Sequence, residues 1–205
     1  MTERVDTKVK ILDAAEKLFG MNGFDGTSLR DITTAADVNL AAINYHFQSK
    51  DCLIDAIVAR RIEPVNKKRF ELLKAAGSDP TVERILNAFM APVMQVKADA
   101  IAPLMGRILS NPELFAERVF QKHLAPVSQR FVEALSKALP ELPPSELLWR
   151  LHFSAGVMTH TMLWGRILPK ITNGVCDISD REAVVDRAVR FVTAGFRAPA
   201  SKGSD

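Results

Sequence analysis

The sequence predicts an all-α fold of about nine helices, and three observations carry that prediction. Apolar residues recur three and four positions apart from one end of the chain to the other. No stretch alternates apolar and polar residues over the length of a strand. Between the periodic stretches stand glycines, prolines and the small polar residues that cap helices.

The elements follow in order. Ile11, Ala14, Ala15, Leu18 and Phe19 share one side of a first helix, with Lys10, Asp13, Glu16 and Lys17 opposite. Gly20 to Gly26 reads as a break. Thr27 or Ser28 then caps a short second helix that turns Leu29 and Ile32 inward and stops near Ala36-Asp37. A third short helix is expected from Leu40 to Phe47, and Ser49 caps a long fourth one carrying Leu53, Ile54, Ile57 and Val58. Gly77 to Pro80 is a turn, while Pro92, Pro103, Pro112 and Pro126 each mark a start, kink or break. Leu139 to Ser145 reads as a linker, with Ser145 capping a helix that runs towards Gly165. Pro169 to Asp180 is a loop, and Ser179-Asp180-Arg181-Glu182 reads as a capping box before a last helix ending near Arg197.

Composition excludes several classes. Of 205 residues, 47% are hydrophobic and 25% charged, unlike a disordered or fibrous chain. A chain above about 150 residues buries roughly two thirds of its unfolded surface, so no staple is needed. The charge of +3 permits an acidic partner without requiring one. Cys52 and Cys176 lie far apart and outside any metal-ligand spacing, so they read as free thiols of a reducing compartment. The opening Met1 to Asp6 is charged where an export signal needs an apolar run. The uncharged run from Leu151 to Gly165 is shorter than the ~20 residues that span a bilayer. A cytoplasmic location and no membrane partner are expected.

The informative segment lies at about 28–47: a short helix, a tight turn and a second short helix, the order of a DNA-binding helix-turn-helix. Leu40, Ile43 and Phe47 are spaced to share a buried face. At about 100° per residue, Ala41, Ala42, Tyr45 and His46 fall on the opposite arc, with Asn44 on the flank. Small alanines there allow close approach to a groove, while Tyr45 and His46 can reach phosphates or base edges. Lys50 joins a cationic side chain to the N–H groups of a helix start, a combination suited to phosphate. Residues 1–70 hold eleven Lys/Arg against ten Asp/Glu, so any contact with double-stranded DNA depends on local placement of Lys8, Lys10, Arg30 and Lys50.

The first 55 or so residues resemble the N-terminal domain of the tetracycline-repressor (TetR) family of bacterial transcription regulators. The resemblance rests on Ile11-Leu12, Ala14-Ala15, Leu18-Phe19, Gly23-Phe24, Thr27-Ser28, Ile32, Ala36, Val38, the string INYHF from Ile43, and Ser49-Lys50-Asp51 with Leu53. Asp37 departs from the family's usual glycine, and Thr33 from a common alanine. The resemblance implies a DNA-binding domain at 1–55, with Thr27, Ser28, Asn39, Ala41, Tyr45, His46 and Lys50 at positions that commonly touch DNA. It also implies an effector-binding and dimerisation domain at 56–205. A homodimer reading an inverted-repeat operator, more often as a repressor, is the expected assembly.

Within 56–205, the adaptable apolar residues Phe89, Met90, Met94, Met105, Phe120 and Phe153 are the expected lining of a ligand pocket. Leu148, Leu151, Ala155 and Thr159 of one helix, with Val185, Val189, Val192 and Phe196 of the last, are the expected subunit interface. The strings NLAAINYHFQSK, from Asn39 to Lys50, and LPPSELLWRLHF, from Leu142 to Phe153, look like TetR-type regulators of fatty-acid metabolism. That likeness implies a long-chain fatty acid or acyl-CoA as effector. The competing reading is a helical small-molecule carrier or enzyme without DNA binding. Against it, His46, His123, His152 and His160 show no metal spacing, and no GxSxG elbow or Gly-rich phosphate loop is present. No enzyme activity, metal or cofactor is expected.

Overall fold

The computed structural model describes the backbone of residues 2–96 and 98–200, and the side chains of 7–96, 104–113 and 119–200. Among the described residues there are nine helical runs and no strand. They are α1 (Thr2–Asn22), α2 (Leu29–Ala36), α3 (Leu40–Phe47), α4 (Lys50–Ala75), α5 (Val82–Met94) and α6 (Ala98–Leu109). Then come α7 (residues 112–138, π-helical over Phe115–Leu124), α8 (Pro144–Trp164, prolonged by short turns to Ile171) and α9 (Arg181–Arg197). No helix among the described residues is long and apolar enough to cross a membrane.

Packing divides the chain into two compact units, one of residues 1–63 and 99–124, the other of 64–98 and 125–205. This packing division does not follow the expected boundary at 55/56, which is one of task.

The first unit closes around Ile11, Ala15 and Phe19 of α1, Ile32 of α2, Ile43 and Phe47 of α3, and Leu53 and Ile57 of α4, with Leu104, Ile108 and Val119. Full burial of each large apolar side chain contributes about 1.5–3 kcal/mol. Two ion pairs hold α1 against α4: Arg60 to Asp13 and Arg61 to Glu16, each at 2.6 Å. Leu40 departs from expectation. It is exposed, because it stands in the first turn of α3, and Ala42 instead is half-buried against the core.

The second unit buries Ile85, Leu86, Phe89 and Met90 of α5 with Phe131 and Leu135 of α7, Leu147 and Met158 of α8, and four residues of α9. Those four are Val185, Val189, Val192 and Phe196, which corrects their placement at a subunit interface. They face their own core, as does Leu151, while Ala155 and Thr159 are half-buried; of the proposed α8 set only Leu148 is exposed. Two caps also differ. Ser145 lies inside α8, which Pro143 precedes without a side-chain cap, and Asp180 alone caps α9 by accepting from Ala183 N at 3.0 Å. Ser179 is engaged by Asp177 instead, donating from its hydroxyl at 2.6 Å. Pro112 does start a helical run, whereas Pro92, Pro103 and Pro126 are accommodated within helices.

Candidate nucleic-acid interface

α2 starts at Ser28 because serine and Asp31 form a reciprocal capping box. Asp31 N donates to Ser28 Oγ at 3.2 Å, and Ser28 N donates to the Asp31 carboxylate at 2.8 Å. The Ser28 hydroxyl also donates to that carboxylate at 2.7 Å, and these two Ser28 donors hold the Asp31 carboxyl below its ordinary range. The helix ends at Asp37, whose backbone is left-handed at φ 53° and ψ 52°. Val38 N reaches back to Thr33 O at 3.0 Å and reverses the chain. Aspartate here does the work of the family's glycine, at a steric cost of about 1–2 kcal/mol. Asn39 then caps α3, its Oδ1 accepting from Ala42 N at 2.9 Å.

Ile43 and Phe47 anchor α3 to the core, which fixes the helix's outward arc. Ala41, Asn44 and Tyr45 are exposed there, and Tyr45 is 66% accessible. Its ring meets His46 edge-on, with centroids 5.1 Å apart, and His46 itself is half-buried. At the end of α3 Gln48 takes a positive φ of 65°. Ser49 Oγ accepts from Cys52 N at 3.1 Å, capping α4 and setting half-buried Lys50 at its first position.

Local charge now has a pattern. Arg60 and Arg61 are committed to α1 carboxylates, whereas Lys8, Arg30 and Lys50 have no carboxylate partner among the described residues. Lys8 Nζ lies 5.9 Å from the Phe47 ring centroid, close beside α3. The geometry offers a rigid helix with small and aromatic outward residues, flanked by cations.

Thr27 does not belong to this surface. It is fully buried, and its hydroxyl donates to Gly23 O at 2.9 Å and Leu18 O at 3.3 Å, so it ties α1 to the turn before α2. The expected pocket residues are divided between the two units. Phe89 and Met90 are packed in the second unit's core and Met94 against it, Met105 and Phe120 belong to the first unit, and Phe153 is exposed. Composition found adaptable side chains but not their addresses. An open groove of about 540 Å³ exists on the second unit between Leu72, Glu83, Arg84, Asn87 and Val185, and none of the six lines it. A break at Gln48-Ser49 is legible in the sequence, but the positive φ of Gln48 is not, since glutamine carries no preference for that conformation. Among the described residues no group of His, Cys, Asp or Glu could hold a metal ion.

Comparison with known proteins agrees with this geometry. Residues 11–57 match the family described as bacterial regulatory proteins, tetR family, and residues 87–195 match the tetracyclin repressor-like C-terminal domain. Over 83 residues the chain is 37% identical to the probable HTH-type transcriptional regulator YttP of Bacillus subtilis, a match spanning 40% of each protein. It is 28% identical over 211 residues to the HTH-type transcriptional regulator UidR of Escherichia coli strain K12, covering 95% of both. Among solved structures, the transcriptional regulator FadR from Bacillus subtilis in complex with stearoyl-CoA shares the fold with a TM-score of 0.62 at 16% identity, over 91% of this chain and 98% of that one. The chain belongs to the tetR family of bacterial regulatory proteins, and is a helix-turn-helix transcription regulator rather than an enzyme.

Proposed function

We propose that this regulator is a cytoplasmic, dimeric repressor that reads an inverted-repeat operator through α3 and is released by a small apolar effector. The observation that carries the DNA-reading part is the docking of α3 by Ile43 and Phe47, which leaves Ala41, Asn44 and Tyr45 facing outward beside Lys50, which has no carboxylate partner among the described residues. Tyr45 and Lys50 contact phosphates. Ala41 and half-buried Ala42 permit close approach, and Asn44 and His46 reach towards base edges. Ser28 and Asn39 stand at helix starts that face the backbone. Residues 1–55 do this work; residues 56–205 bind the effector and the second copy.

For the dimer, the exposed apolar residues of the last helices are what a partner would cover. Trp149 and Phe153 are stacked at 5.8 Å, Leu148 lies beside them, and Phe191 of α9 is 72% accessible. Exposed aromatics in such number mark an interaction surface. A two-fold pair places two α3 helices on half-sites about one DNA turn apart. For the effector, the two strings that resemble fatty-acid regulators support a fatty acid or acyl-CoA, as does the shared fold with a FadR bound to stearoyl-CoA. Binding must distinguish the same two states that DNA distinguishes, and α4, which starts at Lys50 and ends at Ala75, is the element to carry the coupling.

The test is a fluorescence-anisotropy titration against duplexes covering the DNA that flanks its own gene, with and without dodecanoate or dodecanoyl-CoA. Tight binding to one segment, lost when either compound is added, supports the proposal. Binding to every segment with equal affinity contradicts operator reading, and binding unchanged by both compounds contradicts the effector class.

A further inference from the structure

The second unit contains a buried charge that its packing does not explain. Arg69 of α4 is 4% accessible. Its Nε donates to Phe89 O at 2.8 Å, its Nη1 to Asn66 Oδ1 at 3.2 Å, and its Nη2 reaches only the Met158 sulfur at 4.0 Å. The guanidinium carbon lies 4.6 Å from the Phe89 ring centroid. A guanidinium has five N–H donors and a full positive charge. Here it meets three acceptors, none anionic, and no carboxylate pairs with it among the described residues.

The unit's other buried arginine shows what a satisfied one looks like. Arg150 bonds the Glu146 carboxylate at 2.9–3.0 Å and also donates to Phe196 O, Ala198 O and Pro199 O. That residue closes the C-terminal end of α9 with its charge balanced. Arg69 has a thioether where Arg150 has a carboxylate.

We infer that Arg69, held in place by Phe89 O and Asn66, is the anchor for the head group of the effector, and that the effector is an apolar molecule ending in one free carboxylate. The inference rests on the effector reading above and sharpens it. A carboxylate brings one negative charge and two oxygens, which match the fork of a single guanidinium in a dry site. The several phosphate charges of a coenzyme A thioester would need several cations, and Arg69 is the one buried cation of this unit, among the described residues, without an anion. Met158 supplies the opening: its unbranched side chain can swing off Nη2 and let an oxygen replace sulfur. The same core carries Phe89, Met90 and Met94, side chains able to repack around an alkyl tail.

Calorimetric titration of the full-length dimer with dodecanoate, dodecanol and dodecanoyl-CoA tests this. Wild type should bind dodecanoate roughly tenfold or more tighter than dodecanol, the margin of one charge-assisted hydrogen bond in a dry site. Arg69→Met should erase that margin by weakening dodecanoate alone. Met158→Glu, which places an internal carboxylate against Nη2, should do the same from the other side and serves if Arg69→Met fails to fold. Equal binding of acid and alcohol by wild type overturns the inference, as does undiminished dodecanoate binding in both variants. Operator anisotropy on the same samples separates the two readings. Dodecanoate that binds through Arg69 without releasing DNA keeps the anchor and sinks the effector role. Release by dodecanol or dodecanoyl-CoA that ignores Arg69 keeps the regulator and overturns the anchor.

Discussion

Arg69→Met makes a prediction about stability that is independent of any ligand. Burial pushes the Arg69 guanidinium well below its ordinary range, down to about 10, so the folded protein holds a cation that the unfolded chain solvates better. At neutral pH the residue is protonated in both states, and the folded state bears the whole difference, about 3 kcal/mol at ~1.4 kcal/mol per unit. Against it stand two hydrogen bonds of about 1 kcal/mol each, to Phe89 O and Asn66 Oδ1, that the substitution removes. Methionine keeps most of the buried volume, so no large cavity term enters. The balance leaves Arg69→Met more stable by about 1 kcal/mol, or a rise in Tm of roughly 2–4 °C for a chain of this length. The sign with pH follows. A cation with a depressed folded pKa carries its penalty in full below about pH 10 and sheds it as pH rises towards the unfolded value. The advantage of the variant should therefore shrink above pH 10. Urea unfolding of wild type and variant at pH 7 and at pH 10.5 measures it. A loss of more than about 2 kcal/mol at pH 7 would mean that Arg69 is a structural tether and that its burial is compensated.

Other substitutions test other parts of the account. Tyr45→Ala and Lys50→Ala should each weaken operator binding about tenfold with helix content and dimer intact, and Lys50→Ala should lower the salt slope by about 2 per dimer, one phosphate per half-site; circular dichroism, sedimentation and anisotropy read the three quantities. Ser28→Ala removes the capping box of α2 and should cost about 1 kcal/mol in urea unfolding. Phe153→Glu should give monomers in sedimentation without loss of helix, because the residue is 60% accessible in the single chain. Val189→Glu, by contrast, should unfold the second unit, since that residue lies in its core.

Much of the fold was legible because the 3.6-residue period reports which face of a helix is buried. Ile43 and Phe47 were placed correctly on that ground, and so was the turn at Asp37. The period does not say what does the burying. Val185, Val189, Val192 and Phe196 form a stripe that suits a partner subunit and a neighbouring helix equally well, and the chain's own α5 and α8 take it. A single residue near a helix end can also escape the face its spacing assigns, as Leu40 does. Thr27 shows a related limit. A threonine before a helix reads as a cap or a DNA contact, and only the carbonyls of Leu18 and Gly23, brought together by the turn, make it a buried tie. Arg69 gave no warning at all, because Lys67-Lys68-Arg69 reads as a solvated charge run until the helix turns one of the three inward.

The most direct test of the central claim, that α3 reads DNA with Tyr45 and Lys50 at its edge, is the salt dependence of operator affinity for wild type beside Tyr45→Ala. The account predicts that log affinity of wild type falls linearly with log salt concentration on one duplex segment, and that the variant binds that segment about tenfold more weakly at every salt concentration. Equal affinity of the two proteins across the series would contradict it, and would place the DNA-reading surface somewhere other than the exposed arc of α3.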